Sequence, residues 1–150
     1  MNAPLKLGQS IARREDRRFL TGKGRYTDDT APAATLAVLF VRSPHAHARI
    51  AGIDSEAARA SPGVAAVYTA QDTATDKLGH LPAISEIKDE AGNRHREPPH
   101  LPMPVGKVRH VGDIVAMIVA DTLDQARDAA DLLVVDYEEL PAVVTVAQAL

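Results

Sequence analysis

The first side chains in this sequence that could do chemistry are His45 and His47, one residue apart. Side chains alternate along a strand, so both imidazoles would face one way. With Asp54 they could be imagined as the start of a metal set. No third donor stands at ligand spacing, however, and Pro44 implies a bend, so hydrogen-bonded structural histidines are the stronger reading. His80, His95, His100 and His110 are scattered with no ligand spacing. Asp28-Asp29 and Asp54 could be paired carboxylates, yet Asp29-Thr-Ala-Pro is equally a turn signal. Gly22-Lys-Gly-Arg25 lacks the spacing of dinucleotide or nucleotide phosphate loops and reads as a tight turn. None of Ser10, Ser43, Ser55, Ser61 and Ser85 sits in a Gly-x-Ser-x-Gly elbow.

Arginines carry a second possible chemistry. Arg13, Arg14, Arg17 and Arg18 stand at i, i+1, i+4 and i+5, which on a helical turn makes a doubled basic stripe. With Arg25 they are the candidate partner-docking residues, since guanidinium groups favour bidentate contact with carboxylate or phosphate. Local pairing with Glu15 and Asp16 is the competing reading. Residues 1–25 carry seven Lys/Arg against these two acids, whereas the whole chain has a net charge of −3. Such asymmetry suits an arm that meets an acidic surface, and the overall charge argues against a general nucleic-acid binder.

Stepping along the 150 residues, positions 1–35 read as an extended arm in which Gly22, Gly24 and Pro32 preclude a long helix. Positions 36–150 read as one domain. Leu36 to Arg42, Arg49 to Asp54, Val64 to Thr69, Asp113 to Ala120 and Leu133 to Glu138 are strand-like. Ser55 would cap a short helix over 56–60, ended by Pro62-Gly63, and Thr122 with Gln125 would cap a longer one. Thr145 and Gln148 repeat that signal before the chain stops at Leu150, as if cut. Residues 76–104, with five prolines, read as a long functional or partner-draped loop. A faint echo relates Ala58-Arg59 to Ala126-Arg127, as if one strand–helix–strand unit appeared twice. The aromatic content of 3% means a core of Ala, Val, Leu and Ile. Zero cysteines exclude disulfides, iron–sulfur ligation and zinc-thiolate sites within this chain. No apolar run approaches the ~20 residues that span a bilayer, and Glu15 and Asp16 interrupt any signal-peptide pattern.

Many of these residues fall into an ordered pattern. Arg13-x-Glu15-Asp16, Gly24-x-Tyr26-x-Asp28-Asp29, Arg42-Ser-Pro-His-Ala-His-Ala-Arg49, Thr69-Ala-x-Asp72, Val108-Arg-x-Val-Gly112 and Val135-Asp-Tyr-Glu138 span nearly the whole chain. Together they closely resemble the N-terminus of the molybdenum-binding large subunit of the xanthine dehydrogenase, aldehyde oxidase and carbon monoxide dehydrogenase family. The resemblance implies an α+β fold, the α/β-hammerhead, here with a small mixed sheet, about two helices, a basic arm and a long Pro-rich loop. It implies a structural, non-catalytic part of a cytoplasmic hydroxylase that oxidises an aldehyde, an N-heterocycle or carbon monoxide with water-derived oxygen. A molybdenum–pterin cofactor is then expected in downstream domains or a separately encoded chain, with FAD and iron–sulfur clusters in partner subunits. No catalytic, cofactor or metal residue of that family matches a position here. The alternative is a free-standing protein-interaction module using the arm and the loop.

Overall fold

The computed structural model describes residues 8, 13–30, 32–82, 87–94 and 98–149. The readings at Lys6, Ser10, Ser85, His95 and Leu150 lie outside them. The chain divides into two compact units, Met1–Thr35 and Leu36–Leu150.

In the first unit the expected extended arm is partly folded. Helix α1 runs only over Asp16–Leu20, and a single 3-10 turn over Thr27–Thr30. Gly22, in the left-handed region at φ 68°, makes the turn out of α1, and its amide donates to the Phe19 carbonyl at 3.1 Å.

Among the described residues, the second unit holds six strands in two antiparallel sheets, where a single small mixed sheet was expected. Strands β1 (Ala37–Arg42), β5 (Ile114–Ala120) and β3 (Val64–Thr69) form the first, in the order β1-β5-β3. Strands β4 (Lys107–Val108), β2 (Ala48–Asp54) and β6 (Val134–Glu139) form the second, in the order β4-β2-β6. Every pairing is antiparallel. Helices α2 (Glu56–Arg59), α3 (Ala70–Thr75), α4 (Leu123–Asp131) and α5 (Val146–Ala149) connect or follow them. The described helices thus outnumber the two expected, because short ones of four to six residues carry too little periodicity to stand out.

The echo in the sequence has a structural counterpart. Units β2–α2–β3 and β5–α4–β6 each cross between the sheets, in opposite directions. Ala58 in α2 and Ala126 in α4 are both fully buried in one cluster with Val67, Ile118, Ala120 and Ala129. Small side chains are required there because α2 and α4 pack beside each other over the first sheet. A second cluster, Ala48, Val108 and Val115, lies between the sheets, and Val41 packs against both clusters. Each fully buried Val or Ile contributes roughly 1.5–3 kcal/mol.

Caps explain where the helices start. Thr122 Oγ1 accepts the Gln125 amide at 3.2 Å and donates to Gln125 Oε1 at 3.0 Å, starting α4 as expected. Gly63 at φ 78° passes so close that a Cβ there would meet the Gln125 side chain at 2.3 Å. Ser55 does not cap α2. Instead Asp54 Oδ1 accepts the Glu56 amide at 3.0 Å, while Ser55 Oγ accepts from Arg59 Nε at 3.1 Å. The long loop also holds local order: a small turn joins Lys88 to Arg94, closed by Asn93 donating to both Asp89 carboxylate oxygens.

Candidate functional site

The basic cluster is not one helical stripe. Helix α1 begins at Asp16, so Arg17 and Arg18 ride on it while Arg13 and Arg14 precede it. Arg18 is spent locally: it pairs with the Glu15 carboxylate and lies over the Phe19 ring, 5.2 Å from its centroid. Phe19 stacks on Tyr26 at 5.7 Å and 10°. Gly24 lies beneath, where a Cβ would come within 2.8 Å of the Phe19 ring. Arg13, Arg14, Arg17 and Arg25 are exposed and make no ion pair among the described residues. Exposed pairs such as Arg18–Glu15 contribute about 0–1 kcal/mol, so this unit holds its rings together more by stacking than by charge.

His45 and His47 lie in the bend between β1 and β2 and are held apart. His45 Nδ1 is 3.2 Å from Glu139 Oε1, and its ring tilts on Tyr137 at 4.7 Å. His47 Nδ1 bonds to the Pro141 carbonyl at 2.7 Å; since a carbonyl only accepts, that nitrogen carries the proton. Asp54 is at the far end of β2, about 20 Å away along a strand, and caps α2. The His45–His47–Asp54 constellation therefore does not come together.

The motif Arg42 to His47 forms a corner stitched to two distant segments. Arg42 Nη1 donates to the Gly112 carbonyl, the Gly112 amide to the Ser43 carbonyl and the Ser43 amide to the Asp113 carbonyl, each at 2.8 Å. Ser43 is itself buried, and its Oγ accepts the His45 amide at 3.0 Å. The Leu140 amide closes on the His47 carbonyl at 2.9 Å. Burial holds the Tyr137 hydroxyl above its ordinary pKa, with an opposing hydrogen bond from Ser43. The polar groups of this motif are thus spent on the fold.

One further constellation was missed in the sequence. A cavity of about 500 Å³ opens among β2, α2, α3 and residues 104–106, lined by Ile50, Ile53, Arg59, Gln71, Asp72 and Val105 among others. The Thr69 amide and hydroxyl both donate to Asp72 Oδ2, at 2.6 and 3.0 Å, and Arg59 Nη2 stands 3.7 Å from the same oxygen. The Thr69 amide does most to hold the Asp72 carboxyl below the usual carboxylate value, with the Thr69 hydroxyl and Arg59 adding to it against a partial desolvation. The spacing Thr69-x-x-Asp72, a helix-start signal, would have revealed both α3 and this cluster.

The residues present do not fit a molybdenum–pterin group. Among the described residues no three His, Asp or Glu side chains converge as a metal set. No buried side-chain nitrogen or oxygen there lacks a partner. The charged residues that line the cavity among the described ones, Arg59 and Asp72, are committed to each other and to Ser55 and Thr69.

Known proteins carry this arrangement. Residues 21–141 match the family model described as aldehyde oxidase and xanthine dehydrogenase, a/b hammerhead domain. The carbon monoxide dehydrogenase large chain of Afipia carboxidovorans is 40% identical over 139 residues, covering 92% of this chain and 16% of that protein. The xanthine dehydrogenase molybdenum-binding subunit of Escherichia coli O157:H7 is 37% identical over 134 residues, covering 87% of this chain and 17% of that protein. The crystal structure of quinoline 2-oxidoreductase from Pseudomonas putida 86 superposes with a TM-score of 0.81 at 41% identity, over 95% of this chain and 17% of that one. The chain spans about a sixth of the length of these relatives. The chain belongs to the aldehyde oxidase and xanthine dehydrogenase family, in which it corresponds to the a/b hammerhead domain.

Proposed function

We propose that this chain serves as the structural hammerhead domain of a molybdenum hydroxylase large subunit and is not catalytic by itself. The observation that carries this is the family match over nearly the whole chain, beside motif polar groups already committed to internal bonds. In that role its Arg42–His47 corner and paired sheets supply a rigid body against which catalytic domains are positioned. The molybdenum–pterin group belongs to those domains, in the same or a separately encoded chain, and supplies the oxidising centre for hydroxylating an aldehyde, N-heterocycle or carbon monoxide. FAD and iron–sulfur clusters belong to partner subunits, and the assembly works in the cytoplasm. No helix among the described residues is long and apolar enough to cross a membrane.

Residues 1–35 are the docking arm and 36–150 the hammerhead body. Arg13, Arg14, Arg17 and Arg25 meet acidic groups of the partner, whereas Arg18 stays with Glu15. The arm has few apolar anchors, so it offsets its ordering entropy only on the partner. Two measurements test the reading. The purified chain should turn over no aldehyde, purine or carbon monoxide; turnover would overturn the structural role. Hydrogen exchange should find Arg13 to Asp29 weakly protected in the isolated chain. Protection equal to that of β5 would show that the arm packs without a partner.

A further inference from the structure

The two sheets differ in how their strands are written. In β2 and β6, the apolar Ile50, Ile53, Val135 and Tyr137 are interspersed with Arg49, Asp54, Asp136, Glu138 and Glu139, as expected of an antiparallel sheet with one wet face. The first sheet does not alternate. Strand β5 reads Ile-Val-Ala-Met-Ile-Val-Ala, and β1 carries no charge before Arg42. Strands without alternation are written for burial on both faces.

Among the described residues, helices α2 and α4 cover one face of the first sheet. Leu39, Val41, Val67 and Ile118 pack in the cluster beneath α2 and α4. On the opposite face, register places Val38 against Val119 against Ala66, and Phe40 against Met117 against Tyr68. Phe40 and Tyr68 are 44% and 38% exposed, and Val38 46%. Arg42 stands at the rim with its guanidinium 6.0 Å from the Phe40 centroid.

We infer that this open face of the first sheet, centred on the row Phe40–Met117–Tyr68, is the seat for an apolar surface of the large subunit's catalytic portion. The inference rests on the proposed function, and two observations choose the occupant. The relatives carry about five-sixths of their length beyond the matched region, so a covering body of the right kind exists in the family. A second copy of this chain is a poor fit. Three strands about 4.8 Å apart and two residue rows give a footprint on the order of 200 Å², against about 800 Å² per partner in a stable standard-sized interface. Size alone would not mark this face, since patches of a few hundred Å² are ordinary on monomers. What marks it is a strand pattern that spends apolar residues on the side opposite α2 and α4. A body held by other contacts can use so small a seat, because its local concentration is already high.

Hydroxyl-radical footprinting tests this, since Met, Phe and Tyr side chains all label readily. The chain is labelled alone and together with the polypeptide encoded immediately downstream in its source genome. Association with loss of labelling at Phe40, Met117 and Tyr68, and unchanged labelling at the exposed Leu132, is the expected result. Phe40→Asp should then weaken association at least about tenfold without altering the circular dichroism of the free chain. Association with full labelling of the three residues would overturn this inference and leave the proposed function standing. Failure of the downstream polypeptide to associate at all would overturn both. Protection that appears in the chain alone as its concentration rises would name a second copy as the occupant and overturn the assignment to the catalytic portion.

Discussion

Asp72 joins three pieces of backbone through one carboxylate: the start of α3, the end of β3 and, through Arg59, helix α2. Removing it by Asp72→Ala should cost about 1 kcal/mol, the usual size of a helix-start cap; the side chain is 37% exposed, so Arg59 adds little. Its folded pKa is depressed below 3.8. The cap therefore stabilises fully above that value and is lost as pH falls through the lowered one. Urea titrations of wild type and Asp72→Ala should differ near neutrality and converge in acid; a gap that persisted at low pH would show the carboxylate's charge to be irrelevant. Gly63 is a second single-residue case. Gly63→Ala should cost about 1–2 kcal/mol from its left-handed backbone, and more if Gln125 cannot leave the Thr122 cap. Thermal melts that matched wild type would contradict the close approach. For the histidines, adding zinc should leave the ring NMR shifts of His45 and His47 unchanged, because each is tied to a different segment. A shared, saturable shift would revive the metal reading.

At the scale of elements, β5 is the strand on which the first sheet depends, lying between β1 and β3. Ile118→Ala, at a fully buried position, should cost about 3 kcal/mol by transfer and cavity terms together. Chemical denaturation showing less than ~1 kcal/mol would mean this sheet is not the main core. Such strands were legible in the sequence because their apolar runs are dense: Val64–Thr69 coincides with the reading, and β1, β5 and β6 fall within one residue of it. Helix α4 was legible through Thr122 and Gln125. Helix α3 was legible only through its Thr69-x-x-Asp72 start signal, because Ala70–Thr75 has no apolar face. The division into two sheets was illegible for another reason. Partners such as Ala37 and Ala120, or Asp54 and Val134, are some eighty residues apart, and local periodicity says nothing about which strand another will join. The histidine bend was half legible: Pro44 announced it, while Glu139 and Pro141 as partners are visible only in three dimensions.

At the scale of the whole molecule, the charge is divided between a basic first segment and an acidic remainder. If the arm docks through Arg13, Arg14, Arg17 and Arg25, association with the downstream polypeptide should weaken as salt rises, because exposed charges are screened beyond about 8–10 Å at physiological ionic strength. A salt-independent affinity would instead place the attachment on apolar faces such as the first sheet's open side. Nothing in either unit converges on a metal among the described residues, and the family match covers a part of proteins about six times longer. The most direct test is the molybdenum content, by elemental mass spectrometry, of two preparations from the same host: this chain alone, and this chain produced with the coding sequence that follows it. The account predicts no molybdenum in the first and stoichiometric molybdenum in the second. Stoichiometric molybdenum bound to the chain alone would contradict it.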